Sequence, residues 1–132
     1  KGEYDKSIEY YEKSLKIYLD KLGPDHIDVA TLYNNLGLVY DKKGEYSKSI
    51  EYYEKSLKIQ LDKLGPDHIH VAISYNNLGN VYLNKGKYNK AIEYYEKSLK
   101  IRLDKLGPDH IHVATSYNNL GDVYKNKGEY NK

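Results

Sequence analysis

Two pairs of histidines are the residues of this chain whose type and spacing come closest to a chemical site, because imidazole is the commonest metal ligand in proteins. The pairs are His68 with His70 and His110 with His112. Residues two apart on a helix point away from each other, and no carboxylate or cysteine cluster completes a ligand set around either pair. The pattern therefore predicts no metal site.

Catalytic combinations are also missing from the sequence. The chain has no cysteine, which excludes thiol nucleophiles, disulfides and cysteine-type zinc sites together. No Ser-His-Asp arrangement, phosphate-binding loop or dinucleotide fingerprint occurs. We expect neither an enzyme nor a cofactor.

Composition and charge narrow the partners further. With 21 basic and 19 acidic residues, the net charge of +2 gives no electrostatic footprint for a nucleic acid or an anionic membrane. No apolar run approaches the length of a transmembrane helix, and no secretory leader is present. Together with the absence of cysteine, these features favour an intracellular, cytoplasmic protein.

The sequence repeats every 42 residues, as Gly2, Gly44, Gly86 and Gly128 show. The copies span 1–42, 43–84 and 85–126, and 32 of the 42 registers hold the same residue in all three. A six-residue remainder, 127–132, restarts the pattern, and residue 1 is not methionine, so we expect a segment of a longer array. A period of this size is the signature of a solenoid, in which each unit buries its apolar face against its neighbours.

Apolar spacing within one period predicts two helices, which we call the B helix and the A helix. Steps of three and four place Ile50, Tyr53 and Leu57 on one stripe of a B helix, which Gly65 and Pro66 end. Asp67 is the expected N-cap of the A helix that follows. The order B-A-B-A-B-A is predicted at 3–21, 26–43, 45–64, 68–85, 87–106 and 110–127. Nine of the seventeen tyrosines fall on predicted packing stripes, and most of these are expected in the core with their hydroxyls reaching its edge: Tyr11, Tyr33, Tyr40, Tyr53, Tyr75, Tyr82, Tyr95, Tyr117 and Tyr124.

The second A helix carries a motif that resembles a tetratricopeptide repeat. Its run from Tyr75 to Tyr82 (YNNLGNVY), followed by Gly86 and by AIEYY at 91–95, matches the aromatic, Leu-Gly, Tyr and Ala positions of that family. The continuation of the B helix through LDKL at 103–106 resembles the 42-residue repeats of kinesin light chains. Ser7 and Ser49 depart from the pattern, since Ala91 is the small residue the family prefers. The resemblance implies an all-α, right-handed solenoid of antiparallel helix pairs.

In that family the A helices line a concave groove, so the resemblance implies a peptide-binding surface here. Asn34, Asn76 and Asn118 are constant, and their amides could bond to the backbone of an extended peptide. The alternative is that these asparagines bond to one another or to nearby turns. Variable registers on the same face would supply selectivity: Thr31, Ile73 and Thr115; Leu38, Asn80 and Asp122; Asp41, Leu83 and Lys125.

Two functions remain open at this point. The first is a scaffold that holds an extended protein or peptide segment in the groove. The second is a structural solenoid whose ends stack head to tail, because the terminal helices should lack part of their cover. The residues expected at those ends are Tyr4, Ile8, Tyr11 and Leu15 on the first helix, and Tyr117, Leu120 and Tyr124 on the last.

Overall fold

The computed structural model of the chain describes residues 2–130, and over this range it contains six α-helices and no strand. The predicted all-α architecture and the B-A-B-A-B-A order are confirmed. The chain divides into two compact units, Lys1–Gly65 and Pro66–Lys132. Each unit holds three helices.

The first unit contains α1 (Gly2–Leu22), α2 (Ile27–Lys43) and α3 (Tyr46–Leu64). Its A helix is α2, which packs more closely on α3 than on α1. Two clusters form the core of this unit. One joins Ile8 of α1 to Leu36 and Tyr40 of α2, and the other joins Val29 and Ala30 of α2 to Ile59 of α3.

The second unit contains α4 (Ile69–Asn84), α5 (Tyr88–Leu106) and α6 (Ile111–Tyr130). Its A helices are α4 and α6. The B helix α5 packs more closely on α4, which precedes it, than on α6, which follows it. Ala91 and Tyr95 of α5 form a core cluster with Val123 of α6.

Glycine sets the close approach of each A helix to the B helix that follows it. A Cβ atom added at Gly79 would lie 2.6 Å from the Cδ1 and Cε1 atoms of Tyr95, and Gly37 meets Tyr53 in the same way. Both tyrosines are buried. The mid-helix glycines, which cost about 1 kcal/mol each in helix propensity, therefore create the space that a tyrosine ring fills. We call this arrangement the ring-on-glycine joint.

Most helix ends lie within one residue of the predicted ones, but one N-cap and the end of the last helix were predicted wrongly. Asp67 was expected as an N-cap, but the N-cap of α4 is His68, whose Nδ1 accepts a hydrogen bond from the His70 N–H at 3.0 Å. The last helix was expected to end at 127, whereas α6 continues through Gly128 to Tyr130. Gly65, by contrast, ends α3 as expected, with φ of +91°.

Candidate functional site

A side-chain hydrogen bond joins the A helices α4 and α6 of the second unit. Asn119 Nδ2 donates to Asn76 Oδ1 at 2.8 Å. The bond uses the second asparagine of the Asn118-Asn119 pair, not the first. Asn119 lies outside the register of Asn34, Asn76 and Asn118, so the bond links one member of that register to a neighbouring residue. The Asn76 oxygen thus already accepts one hydrogen bond, while its amide nitrogen retains donors.

The other two constant asparagines lie in different surroundings. Asn118 is exposed on α6. In the first unit Asn34 is half-buried on α2, and its Oδ1 atom is buried with no hydrogen-bond donor among the described residues. The three amides therefore occupy the same register of the repeat, but their hydrogen bonding and burial differ from one copy to the next.

The first variable register is exposed in each A helix. Thr31, Ile73 and Thr115 all reach solvent. The two threonine hydroxyls bend back onto their own helices, since Thr31 donates to Ile27 O at 3.5 Å and Thr115 donates to Ile111 O at 3.2 Å. Ile73 in the middle copy instead presents a bare apolar side chain.

The remaining variable registers contain both exposed residues and residues that pack against other helices. Leu38, Asp122 and Lys125 are exposed. Asn80 accepts a hydrogen bond from the buried hydroxyl of Tyr95, and Leu83 packs against the Ala91–Tyr95–Val123 cluster. Asn80 and Leu83 therefore contribute to the packing of the second unit as well as to its surface.

Asp41 occupies the Leu83 register in the first unit and is half-buried. Burial, with a further contribution from the Asp41 carboxylate, raises the pKa of the Tyr53 hydroxyl well above its ordinary value. The negative charge of Asp41 opposes ionisation of the phenol because like charges in a poorly solvated site repel strongly.

The residues expected at the chain's two end faces divide into exposed and buried groups. Tyr4 is exposed, whereas Ile8 is buried against Leu36 and Tyr40 because this stripe of α1 faces α2. Tyr11 and Leu15 are half-buried and pack on the same core. On α6, Tyr117 and Tyr124 are 54% and 53% exposed, but Leu120 packs against the cluster on α5. The expectation of missing cover is therefore wrong for Ile8, and the placement of Tyr117 and Tyr124 in the core is also wrong.

The two rings of each histidine pair lie close together, although residues two apart on a helix were expected to point away from each other. The rings of His68 and His70 lie 4.9 Å apart, and those of His110 and His112 lie 5.0 Å apart. The first member of each pair is an N-cap outside the helix, so its ring can turn toward the second. Within residues 2–130, no three His, Asp or Glu side chains come together as a metal site would require.

A buried arginine is the main feature that sequence reasoning missed. Arg102 lies in the variable register of Tyr18 and Gln60, and its charge alone would predict an exposed side chain, yet it is only 7% exposed. Its guanidinium Nη1 donates to Ser116 Oγ at 2.9 Å and to His112 O at 3.4 Å. Burial lowers the pKa of Arg102, since it disfavours the charged form. Internal comparison offered one signal: the Ser116 register changes from leucine at Leu32 to serine in the later copies.

Among the described helices, none is both long enough and apolar enough to cross a bilayer.

Comparison with known proteins identifies the repeat. The family model described as tetratricopeptide repeat matches residues 1–62, 42–104 and 70–132, which together cover the chain. A search of characterised proteins by sequence gave no match. Solved structures share the fold. The crystal structure of BtubC (BKLC) from P. vanneervenii superposes with a TM-score of 0.87 at 30% identity, over 98% of this chain and 52% of that one.

A second similar structure is a candidate kinesin light chain with nearly identical TPR-like repeats from Podospora anserina. It gives a TM-score of 0.86 at 23% identity, over 96% of this chain and 60% of that one, a level of identity that shows the fold alone. This chain therefore spans between half and three fifths of the length of the two structures. From its repeat motif, its paired helices and the family match along its whole length, the chain belongs to the tetratricopeptide repeat family, whose members are generally non-enzymatic scaffolds for protein interaction.

Proposed function

We propose that the chain is a binding module that holds an extended protein or peptide segment in a groove lined by its A helices. The observation that carries this proposal is a set of variable, exposed residues on α4 and α6. Ile73, Thr115, Asp122 and Lys125 vary and are exposed, whereas Val71 and Val113 are constant and buried. Variable residues on an exposed face are what a surface with tunable selectivity needs. The variable register of Ser74 and Ser116 is buried and belongs to the packing between helices instead.

Backbone recognition in this proposal rests on the asparagine amides. The oxygen of Asn76 is occupied by Asn119, so Asn76 would contribute N–H donors to peptide carbonyl groups. Asn118 is exposed and offers both donors and an acceptor. Packed helices lie about 8–10 Å apart, and an extended chain advances about 3.3 Å per residue. The asparagine amides of successive A helices would therefore contact about every third peptide residue.

Binding to a selected peptide tests the proposal. A ligand would first be selected from a random twelve-residue display library against the wild-type chain, and its Kd measured by calorimetry. Two lost hydrogen bonds at about 0.5–1.5 kcal/mol each predict that Asn76→Ala with Asn118→Ala weakens binding about 5- to 150-fold. Asn89→Ala, on the B helix α5, is the matched control and should leave the Kd unchanged.

Two results would count against peptide binding through these amides. One is a library selection that yields no peptide binding the purified chain in calorimetry. The other is a selected peptide whose affinity is the same for the double variant, for Asn89→Ala and for the wild type. The second result would show that the amides of Asn76 and Asn118 do not contribute to the affinity and that the peptide binds to another face of the chain.

Self-association through the end faces is the second candidate, and the exposed aromatic residues of α6 favour it. Tyr117 and Tyr124 are more than half exposed, whereas the equivalent tyrosines of α2 and α4 are buried or half-buried. A structural solenoid of this kind would grow with concentration, whereas a pure peptide-binding module would remain monomeric. The same chain could carry both functions on separate surfaces.

A further inference from the structure

Each A helix is preceded by a histidine whose imidazole caps the first turn. The Nδ1 atom of His26 accepts a hydrogen bond from the Asp28 N–H at 3.0 Å, and His68 and His110 accept from the N–H groups two residues later at the same distance. An N–H group at this position has no carbonyl partner inside its own helix, so the histidine satisfies it. We call these three residues the histidine caps.

The histidine caps form in one protonation state. An Nδ1 atom that accepts a hydrogen bond carries no proton, so each capping ring is neutral with its proton on Nε2. Imidazolium has donors at both nitrogens and no acceptor, so protonation breaks the cap. Its positive charge is also unfavourable at the positive end of the helix dipole. Histidine ordinarily takes up its proton between pH 8 and pH 5, so these caps depend on pH in that range.

The residue two positions after each cap decides what replaces the lost hydrogen bond. In the first copy this residue is Asp28, and its Oδ2 atom lies 3.8 Å from Nδ1 of His26. On protonation, His26 would exchange its bond to the Asp28 N–H for an ion pair with the carboxylate. The acidic side chain is itself favourable at the N-terminus of a helix. The start of α2 is therefore compensated.

The second and third copies hold a second histidine in that position. The rings of His68 and His70 lie 4.9 Å apart, and those of His110 and His112 lie 5.0 Å apart. Protonation of both members of a pair would place two positive charges at about that separation, at the positive end of a helix. The caps of α4 and α6 are then lost with no ion pair in their place.

Charged groups on the neighbouring helices do not remove this difference between the copies. Lys63 of α3 and Leu22 of α1 line one cavity with His26. Lys105 holds the register of Lys63 on α5, the helix that packs on α4. At α6 the charged group on α5 is Arg102, which donates to a carbonyl group of the first turn. The three charged groups are all cations. An aspartate precedes every cap: Asp25, Asp67 and Asp109.

We propose that the histidine caps are a pH switch that acts on α4 and α6 and spares α2. All three caps are formed at neutral pH. On acidification the paired histidines repel each other and the first turns of α4 and α6 open, whereas the ion pair of His26 with Asp28 holds the first turn of α2. The switch depends on neither peptide binding nor self-association.

Thermal unfolding at about pH 7.5 and about pH 5 tests the switch with a cap that does not titrate in this range. The asparagine side chain is a good N-cap, because its oxygen accepts the same hydrogen bond and takes up no proton. His68→Asn with His110→Asn should match the wild type in Tm at the higher pH. On acidification the wild type should lose about 4–16 °C more than this double variant, because each lost cap corresponds to about 2–8 °C.

The first copy supplies the matched control. His26→Asn should leave the pH-dependent loss of Tm at the wild-type value, because Asp28 already compensates that cap. His70→Asp with His112→Asp, which gives the later copies the residue of the first, should reduce the loss to the level of the double asparagine variant.

Three results would overturn the proposal. If the double asparagine variant loses as much Tm on acidification as the wild type, the caps do not respond to pH. If His26→Asn reduces the loss by as much as either of the other caps, Asp28 does not spare α2. Nitrogen chemical shifts of the imidazole rings give an independent readout at the higher pH. A proton on Nδ1 of His68 or His110 would contradict the capping geometry itself.

Discussion

The ring-on-glycine joint predicts opposite effects for one substitution at two equivalent positions. At Gly79 a new Cβ would lie 2.6 Å from two ring atoms of Tyr95 and 3.1 Å from a third. Tyr95 is 1% exposed and its hydroxyl is bound to Asn80, so the ring has little room to move. Overpacking costs about 1–3 kcal/mol, and contacts this short place the cost near 3. Helix propensity returns about 1 kcal/mol, which leaves Gly79→Ala destabilised by about 2.

At Gly121 only the gain in helix propensity remains. No atom lies within 4 Å of the added methyl group, so Gly121→Ala should stabilise the chain by about 1 kcal/mol. The two variants share the local sequence NNLG and differ only in what covers the glycine. The expected difference between them is about 3 kcal/mol.

Thermal and urea unfolding followed by circular dichroism measure this difference at low micromolar concentration, where association does not contribute. For a chain of this length 1 kcal/mol corresponds to about 4 °C in Tm, so Gly79→Ala should lower Tm by about 8 °C and Gly121→Ala should raise it by about 4 °C. Equal shifts of the same sign at both positions would refute the steric explanation, because they would show that propensity alone decides.

Three further comparisons use the chain's own internal controls. His68→Ala removes the N-cap of α4 and should lower the free energy of unfolding in urea by about 0.5–2 kcal/mol. Asp67→Ala should change it by less than about 0.5 kcal/mol. A larger loss for Asp67→Ala would assign the cap to Asp67 instead. Ser56→Ala loses the hydrogen bond to the Ala30 carbonyl and should lower the free energy of unfolding by about 1 kcal/mol. Ser98→Ala removes a buried hydroxyl that has no partner among the described residues, so it should be neutral or stabilising. Equal losses of stability would argue that both hydroxyls are hydrogen-bonded. Because the pKa of Tyr53 is raised above the ordinary 10.0, stability should fall as pH rises above about 10, and Tyr53→Phe should flatten that fall; parallel pH curves would contradict it.

The helices and their order could be predicted from the sequence because the signals are local and repeated. Apolar residues recur at helical spacing, and Gly65 and Pro66 mark an end that the left-handed glycine confirms. The close approach at Gly79 was also predictable, since a glycine inside a helix needs a packing reason. Which ring would fill the space could not be read from spacing alone.

The errors arose where a residue's surroundings decide its role. Asp67 and His68 are both plausible caps by type, and only the backbone path places the His68 ring over the first turn. Arg102 has a charged side chain, which predicts exposure, yet Ser116 and a carbonyl group accept its hydrogen bonds inside a helix interface. Ile8 shares a stripe with the exposed Tyr4, but it lies opposite Leu36 and Tyr40. The cases of Arg102 and Ile8 depend on a contact with another helix, and the cap depends on the local backbone path.

The ring-on-glycine joint also bears on how the gene can change in length. Both partners of the joint, the glycine and the tyrosine 16 residues later, are identical in every copy that contains them, as Gly37 with Tyr53 and Gly79 with Tyr95 show. Recombination between copies that inserts or deletes 42 residues would join one copy's glycine to another copy's tyrosine and recreate the same contact. The number of repeats can therefore rise or fall in whole steps without any compensating mutation at the new boundary. Copy number is a property that such a gene can vary while every joint in its product remains the same.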